Sequence, residues 1–152
     1  CYLQTQLLHQ YKKSLISFTL NIPGPVKVLT DVPEAFASGC QRIETLLKDR
    51  LVLIQHMETI KEKTGYEAFY SVDANPDFIK ELMVSLEDQD RLGRLFDIDV
   101  LRPDGSKVSR EDMGSAPRTC LLCGQPAHVC SRSRRHSVAE LTAEIGKILS
   151  GL

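Results

Sequence analysis

Two groups of residues have the types and spacing that chemistry needs. The first is Asp97 and Asp99, inside Gly93-Arg94-Leu95-Phe96-Asp97-Ile98-Asp99-Val100-Leu101. The stretch alternates, so a strand here carries Phe96, Ile98 and Val100 on one face. Leu95, Asp97, Asp99 and Leu101 fall on the other. Residues two apart on a strand stand roughly 6–7 Å apart on one side, which lets both carboxylates reach one point. Such a pair suits Mg²⁺, a hard cation that takes oxygen ligands and binds phosphates. The flanking leucines imply that the acidic face is partly enclosed. The competing reading is an edge strand whose two acids are simply solvated. The second group is Cys120, Cys123, Cys130 and His136, spaced C-x2-C-x6-C-x5-H. Four Cys and His ligands make a tetrahedral Zn²⁺ site, and Cys-x-x-Cys is a common half of one. His128 is an alternative fourth ligand. Free thiols packing a loop onto the core would read the same way.

Arginines surround the cysteines: Arg118, Arg132, Arg134 and Arg135. Their forked guanidinium groups match phosphate oxygens, so a phosphate or coenzyme clamp is one reading. A solvated basic segment is the other. Asn21, Gly24 and Lys27 form a polar turn after an apolar strand. Glycine lets backbone approach a ligand there, and lysine offers phosphate a point charge.

These groups need a scaffold. The chain has 152 residues, 42% hydrophobic and 26% charged, enough for one ordinary packed domain. Leu15 to Ile22 reads as a strand, closed by Pro23-Gly24-Pro25, with Val26 to Leu29 resuming it. Residues 31–50 read as a helix capped by Asp31 with Pro33 in its first turn; Phe36, Cys40, Ile43, Leu46, Leu47 and Leu51 form its stripe. Leu51–Ile60 and Glu67–Val72 read as a strand pair in a hairpin, with His56 structural. Asn75-Pro76 opens a helix that buries Phe78, Ile79, Leu82, Met83 and Leu86. Pro103-Asp104-Gly105 is a tight turn. A Cys-rich loop then leads to a helix over Ser137–Leu149, with a Ser137/Glu140 capping box and Val138, Leu141, Ile145, Ile148 and Leu149 inward. Helices and strands alternate, yet a hairpin interrupts them. The expected fold is therefore α+β, a mixed sheet with helices on it.

Charge and cysteine use narrow the function. The net charge is −1, aromatics are 6% and there is no Trp. That argues against a general nucleic-acid binder with a stacking platform. No apolar run approaches the length of a membrane span. Five cysteines, an odd count with three clustered, fit a reducing cytoplasm better than a disulfide framework.

Taken together, Leu15 through Lys27, Gly93 through Val100, and Cys120 through His136 resemble the holo-citrate lyase synthase family in the same order. Its members are apo-citrate lyase phosphoribosyl-dephospho-CoA transferases. The resemblance implies a nucleotidyltransferase-like enzyme. It would move a phosphoribosyl-dephospho-CoA group from a triphosphate-bearing precursor to a serine of the citrate lyase acyl carrier subunit, releasing pyrophosphate. It implies Asp97 and Asp99 as the catalytic, Mg²⁺-holding pair. Asn21, Gly24, Lys27, Arg94, Arg132, Arg134 and Arg135 are then the substrate contacts. Nucleic acid and membrane are not expected partners. The family has an arginine-bearing helical segment before the first strand. The chain starts at Cys1, so 1–152 is expected to be one transferase domain lacking its natural N-terminal segment. The rival reading is a small zinc-stabilised binding module whose Arg-rich surface contacts nucleic acid or an acidic partner.

Overall fold

A computed structural model of the chain describes residues 2–22, 31–62 and 65–151. Gly24, Lys27 and the strand expected over Val26–Leu29 lie outside the described residues. The elements are α1 (Tyr2–Tyr11), β1 (Ser14–Leu20), α2 (Val32–Asp49), β2 (Leu53–Glu62), β3 (Gly65–Asp73), α3 (Pro76–Asp88), β4 (Phe96–Leu101), α4 (Ala127–Ser133) and α5 (Val138–Ser150).

The strands form one four-stranded sheet in the order β2-β3-β1-β4. Every pairing is antiparallel, which corrects the expected mixed sheet. The reason is topological. The crossover through α2 does make β1 and β2 parallel, but β3 folds back from β2 as its hairpin partner and pairs with β1. The two parallel strands therefore never touch.

One sheet face carries the main core. Ile16, Phe18, Tyr70, Ile98 and Val100 meet Phe36, Ile43 and Leu47 of α2, Ile79 and Met83 of α3, and Ile145 and Leu149 of α5. Gly39 brings α2 onto β1, because a Cβ there would run into the Phe18 ring. That ring stacks on Phe36 and meets Phe96 edge-on, each at 5.2 Å between centroids. The opposite face is covered at one end only, where α1 seats Leu7 on Leu15, Phe69 and Leu101. Among the described residues, no helix is long and apolar enough to cross a membrane.

Local signals acted as their chemistry dictates at α3 and α5. The Asn75 side chain accepts hydrogen bonds from the Asp77 and Phe78 amides, and Ser137 and Glu140 complete the capping box. Other expectations fail. Asp31 makes no side-chain cap, and α2 starts on Pro33 backbone preference instead. Leu51 lies past the end of α2 in a left-handed turn and is 93% exposed. Phe78 and Val138 sit in the first turns of their helices and stay 37% and 59% exposed rather than buried. The segment expected as a Cys-rich loop contains the short helix α4. The start of the Asp97/Asp99 stretch, Gly93–Leu95, is a 3-10 turn rather than strand, so Leu95 packs into the main core instead of flanking the aspartates.

Candidate functional site

The alternation in β4 survives from Phe96 onward. Phe96, Ile98 and Val100 are buried, while Asp97 and Asp99 project from the other face. On β1 the residues opposite them are Thr19 and Ser17, so the acids share a face with two hydroxyls. Ser17 accepts a hydrogen bond from Gln4 of α1 at 3.2 Å. The α1 helix thus borders the acidic face but does not cover it.

β4 is an edge strand, and an edge leaves peptide groups without a ladder partner. Here α3 supplies the partners from its side chains. Glu87 Oε2 accepts from the Ile98 amide at 3.0 Å, and Lys80 Nζ donates to the Ile98 carbonyl at 3.1 Å. Ile98 is the residue between the two aspartates, so both peptide groups that set their spacing are held. Lys80 and Glu87 are themselves buried. Arg110 closes on Glu87 at 2.7 Å, and Arg118 at 3.5 Å. Arg118 also donates to the Arg94 carbonyl at 2.7 Å.

The electrostatics follow from this crowding. Burial by surrounding protein raises the Asp97 carboxyl above the usual aspartate range, and the Asp99 and Glu87 charges raise it further. Arg118 and Lys107 oppose them. Lys107 stands 3.5 Å from Asp99 Oδ2. Burial lowers Lys80, against the pull of Glu87 and of both aspartates. Two oxygens that repel each other on one open face fit a divalent cation, which would relieve that repulsion.

The cysteine group also assembles. One ligand atom from each of Cys120, Cys123, Cys130 and His136 lies within 4.8 Å of every other. Cys123 and Cys130 sulfurs are 3.5 Å apart. Zinc–sulfur bonds of about 2.3 Å in a tetrahedron put thiolates about 3.8 Å apart, close to that spacing. Burial pushes Cys120 up, but hydrogen bonds from the Leu122 and Cys123 amides and from the Cys130 and Cys123 thiols together hold it below its ordinary value. Burial and the neighbouring sulfurs push Cys130 up to about 11. His136 Nε2 is buried with no hydrogen-bond partner among the described residues, an atom that a metal bond would satisfy. Its Nδ1 faces Glu140 at 3.8 Å, the usual arrangement behind a metal-bound imidazole. The cluster is therefore able to hold a metal ion. His128 is not among its four residues.

A cavity of about 800 Å³ opens beside this cluster, between the start of β4 and α5. Asn21, Arg94, Arg118, His128 and Arg134 line it; Asp97, Asp99, Arg132 and Arg135 do not. The Asn21 amide is tied to the Leu95 carbonyl at 2.7 Å. Arg94 donates to the Thr119 carbonyl at 2.6 Å. Arg132 and Arg135 are exposed. The arginines expected to act together thus divide: Arg94, Arg118 and Arg134 reach one cavity, and Arg132 and Arg135 do not. Sequence reasoning missed Lys80, Glu87 and Arg110, and did not connect Arg118 to the aspartates. A signal existed: Lys80, Met83 and Glu87 stand three and seven residues apart, on one helical face.

The family model described as apo-citrate lyase phosphoribosyl-dephospho-CoA transferase matches residues 1–151. A Streptococcus pyogenes serotype M18 (strain MGAS8232) protein named "Probable apo-citrate lyase phosphoribosyl-dephospho-CoA transferase" is 39% identical over 152 residues, spanning 96% of this chain and 77% of that one. A Vibrio cholerae serotype O1 (strain M66-2) protein of the same name is 37% identical, spanning 93% of this chain and 80% of its own. "Protein CitXG" of Leuconostoc mesenteroides subsp. cremoris is 34% identical, spanning 96% of this chain but 32% of its own length. The chain belongs to the apo-citrate lyase phosphoribosyl-dephospho-CoA transferase family.

Proposed function

We propose that this chain attaches the phosphoribosyl-dephospho-CoA group to a serine of the citrate lyase acyl carrier subunit. The donor is the triphosphate-bearing precursor, 2'-(5''-triphosphoribosyl)-3'-dephospho-CoA. The serine oxygen bonds to the phosphorus next to the ribose, and the bond from that phosphorus to the departing pyrophosphate breaks. The serine proton leaves to a carboxylate or to water. One observation carries the reading. Asp97 and Asp99 share one face of an edge strand whose intervening peptide groups are clamped by Lys80 and Glu87.

Each residue has a role in this reading. Asp97 and Asp99 hold Mg²⁺, whose chemistry when bound is to neutralise charge on the reacting phosphates. Asp97, with its carboxyl held above the usual aspartate range by burial and by the Asp99 and Glu87 charges, suits the acceptance of the serine proton. Arg118 stands beside Asp97 and adds positive charge where the pyrophosphate gathers negative charge. Arg94 and Arg134 bind the donor from the cavity, while Arg132 and Arg135 extend the positive surface beside it. Asn21 meets the donor from the cavity lining, and Gly24 and Lys27, which follow it in sequence, are further donor contacts in this reading. In this reading the acidic pair on a sheet works in the manner of a nucleotidyltransferase. Cys120, Cys123, Cys130 and His136 hold structural Zn²⁺, which ties α4 to the start of α5. Reduced thiols in that role suit the cytoplasm. A pyrophosphate-release assay tests the reaction. Release should require the carrier subunit, the precursor and Mg²⁺ together. Release that ignores the carrier subunit would overturn the reading.

A further inference from the structure

The cavity beside the Cys/His cluster has an unusual lining. Arg94, Arg118 and Arg134 all reach it, and no Asp or Glu does. Leu121, Val138, Leu141 and Ile145 make its apolar side. At about 800 Å³ it is the size of a coenzyme site rather than of an ion site. A ligand that fits carries negative charge at one end and an uncharged arm at the other.

Arg134 gives a second observation. Its side chain has no hydrogen-bond or ion-pair partner among the described residues. Its backbone ends α4 in the left-handed region, at φ 51° and ψ 40°. Helices that end this way usually place glycine there, because a Cβ is strained. A long cation held in a glycine-favouring position points to a use for the cation.

The catalytic pair lies elsewhere. Asp97 and Asp99 do not line the cavity, but Arg118 does, and it pairs at 3.5 Å with Glu87, whose carboxylate accepts from the Ile98 amide between the aspartates. The two sites therefore abut at Arg118. We infer that the cavity binds the dephospho-CoA half of the donor, apart from the triphosphate that reacts at the aspartates. Its diphosphate meets Arg94, Arg118 and Arg134, and its pantetheine arm runs along Leu121, Val138 and Leu141. This inference rests on the transferase reading.

The test uses dephospho-CoA itself, which lacks the triphosphoribosyl group. Calorimetric titration into the full chain without Mg²⁺ should show binding. Arg134→Gly and Arg134→Asn both tolerate the left-handed backbone and both remove the charge. Each should weaken binding about 10-fold or more, the scale of a lost arginine–phosphate contact. Arg134→Gly should melt no lower than wild type, which separates lost binding from lost folding. ADP, without the arm, should bind more weakly than dephospho-CoA. Asp97→Asn should bind dephospho-CoA as wild type does. Wild-type affinity in Arg134→Gly, or a requirement for Mg²⁺, would overturn the inference. Carrier labelling by wild type is measured alongside. Labelling without dephospho-CoA binding rejects the cavity and leaves the transferase reading intact. Arg134-dependent binding without labelling rejects the reading and leaves the cavity site.

Discussion

Asp97→Asn should leave the protein as stable as before, or more stable, while removing most of its activity. The structural basis is repulsion. Asp97 and Asp99 lie two residues apart on one strand face, roughly 6–7 Å. Two like charges at that distance repel by about 0.6 kcal/mol in a water-like medium and about 2.5 kcal/mol at an effective dielectric of 20. The face is open and Lys107 and Arg118 offset part of this, so the gain from neutralising Asp97 should lie between zero and about 1 kcal/mol. In a domain of this size that is a rise in melting temperature of about 0–4 °C. The sign follows from the raised carboxyl. Folding favours protonated Asp97, so its ionisation opposes folding. The penalty is full at neutral pH and disappears as pH falls through the carboxylate range. The difference between variant and wild type should shrink in the same way. Mg²⁺ should reverse the ranking: a tenfold excess over Kd stabilises a single-site protein by about 1.4 kcal/mol, and only wild type should gain it. Carrier labelling by the variant should fall by about 10²-fold or more, and Asp97→Asn with Asp99→Asn should be little worse than the poorer single change. The assays are thermal melts with and without Mg²⁺ across pH, and labelling rates. A variant that melts several degrees lower, or labels at the normal rate, would refute the reasoning.

Three further outcomes follow from single contacts. Glu87→Gln keeps an acceptor for the Ile98 amide but leaves half-buried Arg110 and Arg118 short of the buried counter-charge they share, so denaturant unfolding should show a loss of about 3 kcal/mol. Labelling should fall with it even where the variant is fully folded, and undiminished labelling would remove the clamp from the account. Purified protein should carry about one zinc per chain by elemental analysis, and a chelator should lower its melting temperature; metal-free protein with unchanged melting would make Cys120, Cys123 and Cys130 free thiols. Gly39→Ala should destabilise by about 1–3 kcal/mol in chemical denaturation despite alanine's helix preference, because the Phe18 ring is fixed between Phe36 and Phe96.

Short-range signals read true where one or two neighbours decide the structure. Asn75 and Ser137 cap their helices because the cap needs only amides two or three residues on. The alternation in Phe96–Leu101 gave the right faces because strand geometry alone sets them. Reading failed where distant chain decides. Strand order was out of reach, since nothing local in Gly65–Asp73 says that it will insert beside β1. Glu87 begins the run Glu87-Asp88-Gln89-Asp90, which reads as a solvated helix end. Its burial depends on Arg110, Arg118 and Ile98, at least 11 residues away in sequence. Val138 belongs to an apolar pattern yet stays 59% exposed, because the first turn of α5 overhangs the cavity. The four-residue Cys/His group is a middle case. Spacing proposed its members and left His128 open as an alternative, while the fold selects His136 by burying its Nε2 beside three sulfurs.

The central claim is that this chain adds the prosthetic group to the carrier subunit through Asp97 and Asp99. The direct measurement is the intact mass of purified apo-carrier subunit after incubation with this protein, the triphosphate-bearing precursor and Mg²⁺. The account predicts a gain equal to one phosphoribosyl-dephospho-CoA group, located on a serine, and none with Asp97→Asn over the same interval. An unchanged carrier mass with the wild-type chain, or an equal gain with Asp97→Asn, would contradict it.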